Sequence, residues 1–308
     1  MYLNIKNLSK KYGKNSVLVD LNLSLNKGEI ISVIGSSGCG KTTLLNCISG
    51  LCEIDAGEIS INSKPIQNLE TNKRNIGFVF QESPLFPHLN VIDNILFNMK
   101  EVDNERLNFL LEKIKIKHLK SKYPYEISGG ENQRVSVARS LIRKPTLLLL
   151  DEPFNNLDYQ IKKDTKDLLF DVIKKTKTTT IIVNHDFQQS LEISDKILVL
   201  NKDSKKYIIG SPLEIYSKPT SLEIARLFGE INTINLKDEK FYCRPNNVFI
   251  VDKSNIKAKV VESKFLGTHY KIIALFNTYE IALFYHEEIK KNTILCLCIE
   301  QKHKLKFD

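Results

Sequence analysis

Gly35-Ser36-Ser37-Gly38-Cys39-Gly40-Lys41-Thr42-Thr43 follows the apolar run Glu29-Ile-Ile-Ser-Val-Ile34 and leads into Leu44 to Ile48, whose apolar spacing is helical. Strand, glycine loop and helix in that order predict a phosphate cradle. Gly35, Gly38 and Gly40 let the backbone curl so that successive N–H groups point inward, and the helix after Lys41 adds its positive end, roughly half a unit charge. A loop of this kind takes a polyphosphate. Lys41 would reach the outer phosphates, and the Thr42 hydroxyl would bind the Mg²⁺ that bridges them.

Outward from the cradle, Tyr2 to Ile5 and Val17 to Leu25 alternate apolar and polar residues around Tyr12-Gly13, as antiparallel strands do. Gly57 to Ile61 and Asn75 to Phe80 are further strands, Pro84 and Pro87 mark a loop, and Val91 to Met99 and Glu105 to Ile116 have helical spacing. Asn132 to Arg143 is helical and is stopped by Pro145. Thr146-Leu-Leu-Leu-Leu150-Asp151 is apolar at every position, the pattern of a strand buried on both faces. A long helix over Leu157 to Lys177 and a buried strand over Thr178 to Val183 complete an α/β core in which strands and helices alternate.

Leu213 to Phe228 reads as helical with an interruption near Pro219, after which the texture changes. Only short alternating segments follow, such as Lys257 to Val261, Tyr270 to Phe276, Tyr279 to Phe284 and Thr293 to Ile299. The expected organisation is an α/β nucleotide-binding domain over residues 1–230 and a small all-β domain over 231–308.

The chain of 308 residues is long enough for both, and 42% hydrophobic with 26% charged residues is ordinary for a globular protein. Apolar runs fall short of the ~20 residues of a membrane span, so a membrane role would come through a partner. Met1-Tyr-Leu-Asn-Ile-Lys-Asn-Leu lacks a basic-then-apolar leader pattern, which predicts a cytosolic protein. The net charge of +9 is spread along the chain beside Asn and Ile rather than gathered in a patch, which argues against nucleic acid as a direct partner. The six cysteines have neither C-x-x-C spacing nor a disulfide framework and read as reduced apolar residues. Cys296 and Cys298 share one face of a strand, where core packing is expected.

Asp151-Glu152 ends the most apolar strand, at the carboxyl edge where open α/β sheets bind ligands. Asp151 would hold the Mg²⁺ through water, and Glu152 would polarise an attacking water as general base. Ile127-Ser128-Gly129-Gly130-Glu131 presents a hydroxyl and a glycine turn at a second helix N-terminus, another place where an anion is stabilised.

These residues resemble the ATP-binding cassette family, the ATPase subunits of ABC transporters. Besides the Walker A cradle, Ile127 to Leu141 is similar to its signature motif, and Leu147 to Pro153 to its Walker B segment. Asn155-Asn-Leu-Asp158 is similar to its D-loop, Asn184-His185-Asp186 to its switch histidine, and Gln81 to its Q-loop glutamine, while Tyr12 sits where its adenine-stacking aromatic lies. The resemblance implies a P-loop NTPase cassette with a helical signature subdomain and ATP with Mg²⁺ as cofactors. It implies that Tyr12 stacks on adenine, that Gln81 touches Mg²⁺ and the attacking water, and that His185 contacts the γ-phosphate. It also implies a head-to-tail homodimer in which Ser128, Gly129 and Gly130 of one copy close over the nucleotide of the other. Departures are Ile127 for leucine, Glu131 for glutamine and Asn155-Asn156 for serine-alanine.

The tail resembles the transport-associated, oligonucleotide-binding-like (OB-like) domain of importer ATPases of the maltose, sulfate, polyamine and iron(III) groups. Gly210 to Pro219 and Phe228 to Asn232 are similar to its joining segment, and Arg244-Pro245-Asn246 to its Arg-Pro-Glu motif. Phe265-Leu-Gly-Thr-His-Tyr270 is similar to the iron(III) and polyamine members. The implied function is the energy-coupling ATPase of an importer, peripheral on the cytoplasmic face of the inner membrane. Its partners would be membrane-spanning permeases and an extracytoplasmic substrate-binding protein. The apolar loop Leu85-Phe86-Pro87-His88-Leu89 would form part of the permease seat. The alternative is a soluble cassette ATPase acting on nucleic acid or ribosomes, and intact Lys41, Asp151, Glu152 and His185 argue against a nonhydrolysing subunit.

Overall fold

A computed structural model describes residues 1–82, 84–155, 157–202, 206–236 and 239–307. Within them the chain divides into two compact units, Met1–Pro212 and Leu213–Asp308.

The first unit runs β1 (Leu3–Tyr12), β2 (Asn15–Leu25), β3 (Ile30–Gly35), α1 (Lys41–Ser49), β4 (Ala56–Ile61), β5 (Lys64–Pro65) and β6 (Ile76–Val79). Then come α2 (Val91–Leu96), α3 (Asn104–Lys113), α4 (Gly129–Ile142), β7 (Leu147–Asp151), α5 (Tyr159–Thr176), β8 (Thr180–Val183), α6 (Phe187–Ile193), β9 (Lys196–Leu200) and β10 (Tyr207–Gly210). Two sheets result: an antiparallel one in the order β2-β1-β4-β5, and a mainly parallel one in the order β10-β9-β3-β8-β7-β6.

The leucine run of β7 explains how the layers stack. Leu148 and Leu150 join the core shared with α2 to α5, while Leu147 and Leu149 join α1 and the antiparallel sheet on the opposite face. All four leucines are fully buried, each contributing roughly 1.5–3 kcal/mol. Every position must be apolar because both faces are covered.

Strand order then positions the chemistry. β3 and β7 flank β8, all three parallel, so the segments after Gly35, Asp151 and Val183 emerge at the same sheet edge.

The second unit begins one residue into α7 (Pro212–Ser217) and continues with α8 (Leu222–Leu227), followed by the hairpin β11 (Asn232–Leu236) and β12 (Glu239–Cys243). Strands β13 (Phe249–Val251), β14 (Ile256–Phe265), β15 (Tyr270–Phe276), β16 (Tyr279–Tyr285) and β17 (Ile294–Cys298) form an antiparallel sheet in the order β13-β17-β14-β15-β16. The sequence texture changes near residue 230, yet the packing division falls earlier. Buried Arg244, just after β12, donates to the Ala225 carbonyl at 2.9 Å and stacks 4.2 Å from the Tyr216 ring centroid, tying α7 and α8 to the strands.

One expectation is corrected here. Leu295 and Leu297 are the buried residues of β17, so Cys296 and Cys298 lie on the opposite face, half-exposed rather than in the core. The strand alternates, and the leucines hold the inner register.

Candidate functional site

Gly35 ends β3 where a Cβ would lie 2.4 Å from the Leu200 carbonyl oxygen, so only glycine lets the chain turn there. Gly40 caps α1 at φ 106°, again a glycine conformation, and no side chain caps that helix. The amides of the first turn of α1 are therefore not claimed by a local side-chain cap and face the cradle as a ready anion site. Lys41 is buried, and its ammonium donates to the Gly35 carbonyl at 2.9 Å and the Ser36 carbonyl at 3.1 Å, which holds it inside the loop.

A cavity of about 270 Å³ at this edge is lined by Ser37, Gly38, Gly40, Lys41, Thr42 and Thr43 together with Tyr12, Val17, Glu152 and His185. The Tyr12 ring is half-exposed, and its hydroxyl is 3.5 Å from the Cys52 sulfur.

Asp151 Oδ1 is buried with no hydrogen-bond partner among the described residues. Burial pushes its carboxyl above the ordinary range, opposed first by the Thr42 hydroxyl and then, beyond the repulsion of Glu152, by Lys41. A buried carboxylate oxygen lacking a partner beside a hydroxyl is an oxygen-donor set suited to a hard divalent cation. Thr42 and Asp151 thus fit a Mg²⁺.

Glu152 sits at φ 47°, a left-handed backbone unusual for a residue with a side chain. Its N–H donates to the Val183 carbonyl at 3.1 Å, and its carbonyl accepts from the Asn155 N–H at 3.3 Å. The Asn155 amide donates to Glu152 Oε2, while the other carboxylate oxygen pairs with His185 Nε2. The Glu152 side chain is only 12% exposed, against 46% for His185.

The remaining expected residues stand apart from this cavity. Ser36 and Cys39 belong to the loop, with Cys39 buried beneath it and its thiol pushed up by burial. Gln81 lines a neighbouring cavity of about 450 Å³ together with Gly129, Gln133, Pro153 and Leu157. Ser128 is exposed at the N-cap of α4, which starts at Gly129 rather than at Asn132, because the Ser128 cap draws both glycines into the first turn. At Gly130 a Cβ would lie 2.3 Å from Ile161 Cγ2, so that glycine is a packing requirement. Asn156 of the D-loop segment lies outside the described residues.

Two participants were not legible as motifs. In the sequence Asn155 stands out only as part of the D-loop-like segment, though an amide three residues after Glu152 can fold back on that carboxylate. Arg74 carries no motif at all. It is buried, and its guanidinium donates to the Cys47 and Ile48 carbonyls at 2.9 Å each, closing the C-terminal end of the cradle helix.

Comparison with known proteins gives the family. The profile described as ABC transporter matches residues 18–155. The sulfate/thiosulfate import ATP-binding protein CysA of Mesostigma viride is 36% identical over 309 residues, 90% of this chain and 88% of that protein. The chain belongs to the ABC transporter family of ATPases. Other relatives are the spermidine/putrescine import ATP-binding protein PotA of Clostridium acetobutylicum, 36% identical over 88% of this chain and 86% of that protein, and the Fe(3+) ions import ATP-binding protein FbpC of Fusobacterium nucleatum, 34% identical over 87% and 82%. Among solved structures, cbiO1 from Clostridium perfringens, part of an ABC transporter complex, has a TM-score of 0.64 at 29% identity and covers 70% of this chain and 91% of its own. A dimeric bacterial ABC transporter cassette has a TM-score of 0.59 at 27% identity, covering 68% and 98%. The first unit is an ABC cassette of the P-loop NTPase fold, and the second an antiparallel half-barrel of OB-like type. No helix among the described residues is long and apolar enough to cross a membrane.

Proposed function

We propose that this chain is the ATP-hydrolysing subunit of an importer, in which two copies bind MgATP, close head to tail, drive a membrane partner to switch its facing and reopen after hydrolysis. The observation that carries the reading is the convergence of Lys41, Glu152 and His185 on one cavity at the carboxyl edge of the sheet, in a chain similar along most of its length to import ATP-binding proteins.

Each residue has a role that its chemistry supports. Tyr12 offers its ring face to adenine, and the loop from Gly35 through Ser36, Ser37, Gly38, Cys39, Gly40, Lys41, Thr42 and Thr43 holds the phosphates. Thr42 and Asp151 would hold Mg²⁺, which when bound neutralises charge between the outer phosphates, and Gln81 would have to reach it from the neighbouring cavity on nucleotide binding. Glu152 takes the proton from the attacking water. His185 steadies that carboxylate and reaches the γ-phosphate. Ser128, Gly129 and Gly130 act on the nucleotide of the partner copy, as a helix N-terminus suits.

The membrane partner would sit in a groove of about 550 Å³ lined by Phe78, Phe80, Phe86, Phe97, Arg139 and Arg143. Aromatic side chains beside two arginines suit a cytoplasmic helix of a permease, which would make this a peripheral protein of the cytoplasmic face of the inner membrane. An extracytoplasmic binding protein completes the system, and nucleic acid has no place in it. Residues 231–308 serve dimer contacts or regulation. The segment Phe265 to Tyr270 favours iron(III) or a polyamine as the transported substrate.

Affinity purification from detergent-solubilised membranes tests the reading. Recovery of a polytopic membrane protein is the expected result, whereas ribosomes or nucleic acid without a membrane component would overturn it.

A further inference from the structure

Helices α1 and α4 are both read as meeting phosphate at their N-termini, yet they are prepared differently. α1 has no side-chain cap, whereas α4 is closed by its own carboxylate. Ser128 N–H donates to Glu131 Oε2 at 2.8 Å, and the Ser128 hydroxyl donates to the same oxygen at 3.0 Å. The Glu131 N–H donates back to Ser128 Oγ at 3.3 Å, completing a capping box.

A serine has one hydroxyl proton and one amide proton to give. Both are given to Glu131, so neither can serve a phosphate oxygen at the same time. The carboxylate also carries the charge sign of the phosphate that would replace it. Burial pushes the Glu131 carboxyl up, but the Ser128 donors, with Arg134 and His118 nearby, outweigh this and hold it below the usual range. It remains a charged competitor at neutral pH.

Resting on the reading of Ser128 given above, we propose that Glu131 is an internal occupant of the signature turn. Its carboxylate holds the two Ser128 donors that the terminal phosphate on the partner copy requires. Closure of the pair has to displace it, and this positioning residue sets how much ATP closure demands.

The test uses the full chain carrying Glu152→Gln, titrated with MgATP, with the dimer fraction read by analytical ultracentrifugation. Adding Glu131→Gln keeps the length and the capping geometry but removes the charge. It should lower the ATP concentration for half-maximal dimer by about tenfold, or about 1.4 kcal/mol. The thermal midpoint without nucleotide should stay the same or fall slightly, so a tighter dimer cannot be credited to a more stable fold. If both proteins dimerise at the same ATP concentration, or the doubly substituted one needs more, the proposal is overturned and the reading of Ser128 stands. If neither dimerises at any ATP concentration, that reading fails and the proposal falls with it.

Discussion

His185 Nε2 pairs with Glu152 Oε1, joining the segments that leave two adjacent parallel strands, β7 and β8, at the wall of the phosphate cavity. The carboxylate proposed as general base is therefore held by a neighbouring loop as well as by its own turn.

Glu152→Gln should reduce ATP hydrolysis by about 10² to 10⁴ while ATP binding stays within about twofold. Phosphate release and equilibrium binding of a fluorescent ATP analogue measure the two separately. Unchanged turnover would remove Glu152 from the role of base.

The amide of Asn155 holds the other oxygen of that carboxylate. Asn155→Ala should lower kcat about tenfold with little change in KM for ATP, because aim is lost while the phosphate cradle is untouched. Steady-state kinetics decide it, and a change confined to KM would contradict the tether.

Asp151 is shifted by its burial. Its folded carboxyl titrates above the unfolded one, so its contribution to stability is greatest below the unfolded value of about 3.9 and declines as pH rises through the raised folded value. At neutral pH without metal the charge opposes folding. Asp151→Asn should therefore raise stability in chelator by about 1 kcal/mol, seen as a higher thermal midpoint, and abolish the gain in ATP affinity that Mg²⁺ confers. Differential scanning fluorimetry with and without Mg²⁺ shows both.

Phe86 packs against Phe97 with ring centroids 4.3 Å apart and tilted by 37°, and lies 5.8 Å from the Arg139 guanidinium, at the groove, while Leu85 beside it packs into the helical core. Phe86→Asp should leave ATP hydrolysis by the isolated protein within about twofold but prevent its recovery with the membrane partner. Equal recovery would move the seat elsewhere.

Arg244 is buried, its guanidinium lying over the Tyr216 ring and donating to the Ala225 carbonyl at 2.9 Å and the Tyr216 carbonyl at 3.4 Å. Arg244→Ala should destabilise the second unit by about 2 kcal/mol through the carbonyl and ring left unmatched. Urea unfolding followed by tyrosine fluorescence is the readout, and an unchanged midpoint would deny it a structural role.

Much of this molecule was legible because its signals are local. The strand-loop-helix around Lys41 and the leucine run ending at Asp151 each encode their environment in consecutive residues. Strands β14 to β17 of the tail announced themselves by alternation, whereas β11 to β13 were not singled out. What escaped depends on long-range placement. Nothing adjacent to Cys296 says which face of β17 is inward, since the neighbouring leucines alternate with both cysteines. The left-handed backbone of Glu152 is imposed by its N–H reaching Val183, a strand away. The boundary between units followed texture in the sequence, but the packing followed Arg244.

Arg74 braces the far end of the cradle helix from a position that carries no recognisable signature. A lesion there would slacken the strut on which the triphosphate rests, so a genetic screen would score it as a defect in fuel use in a residue that never touches the fuel.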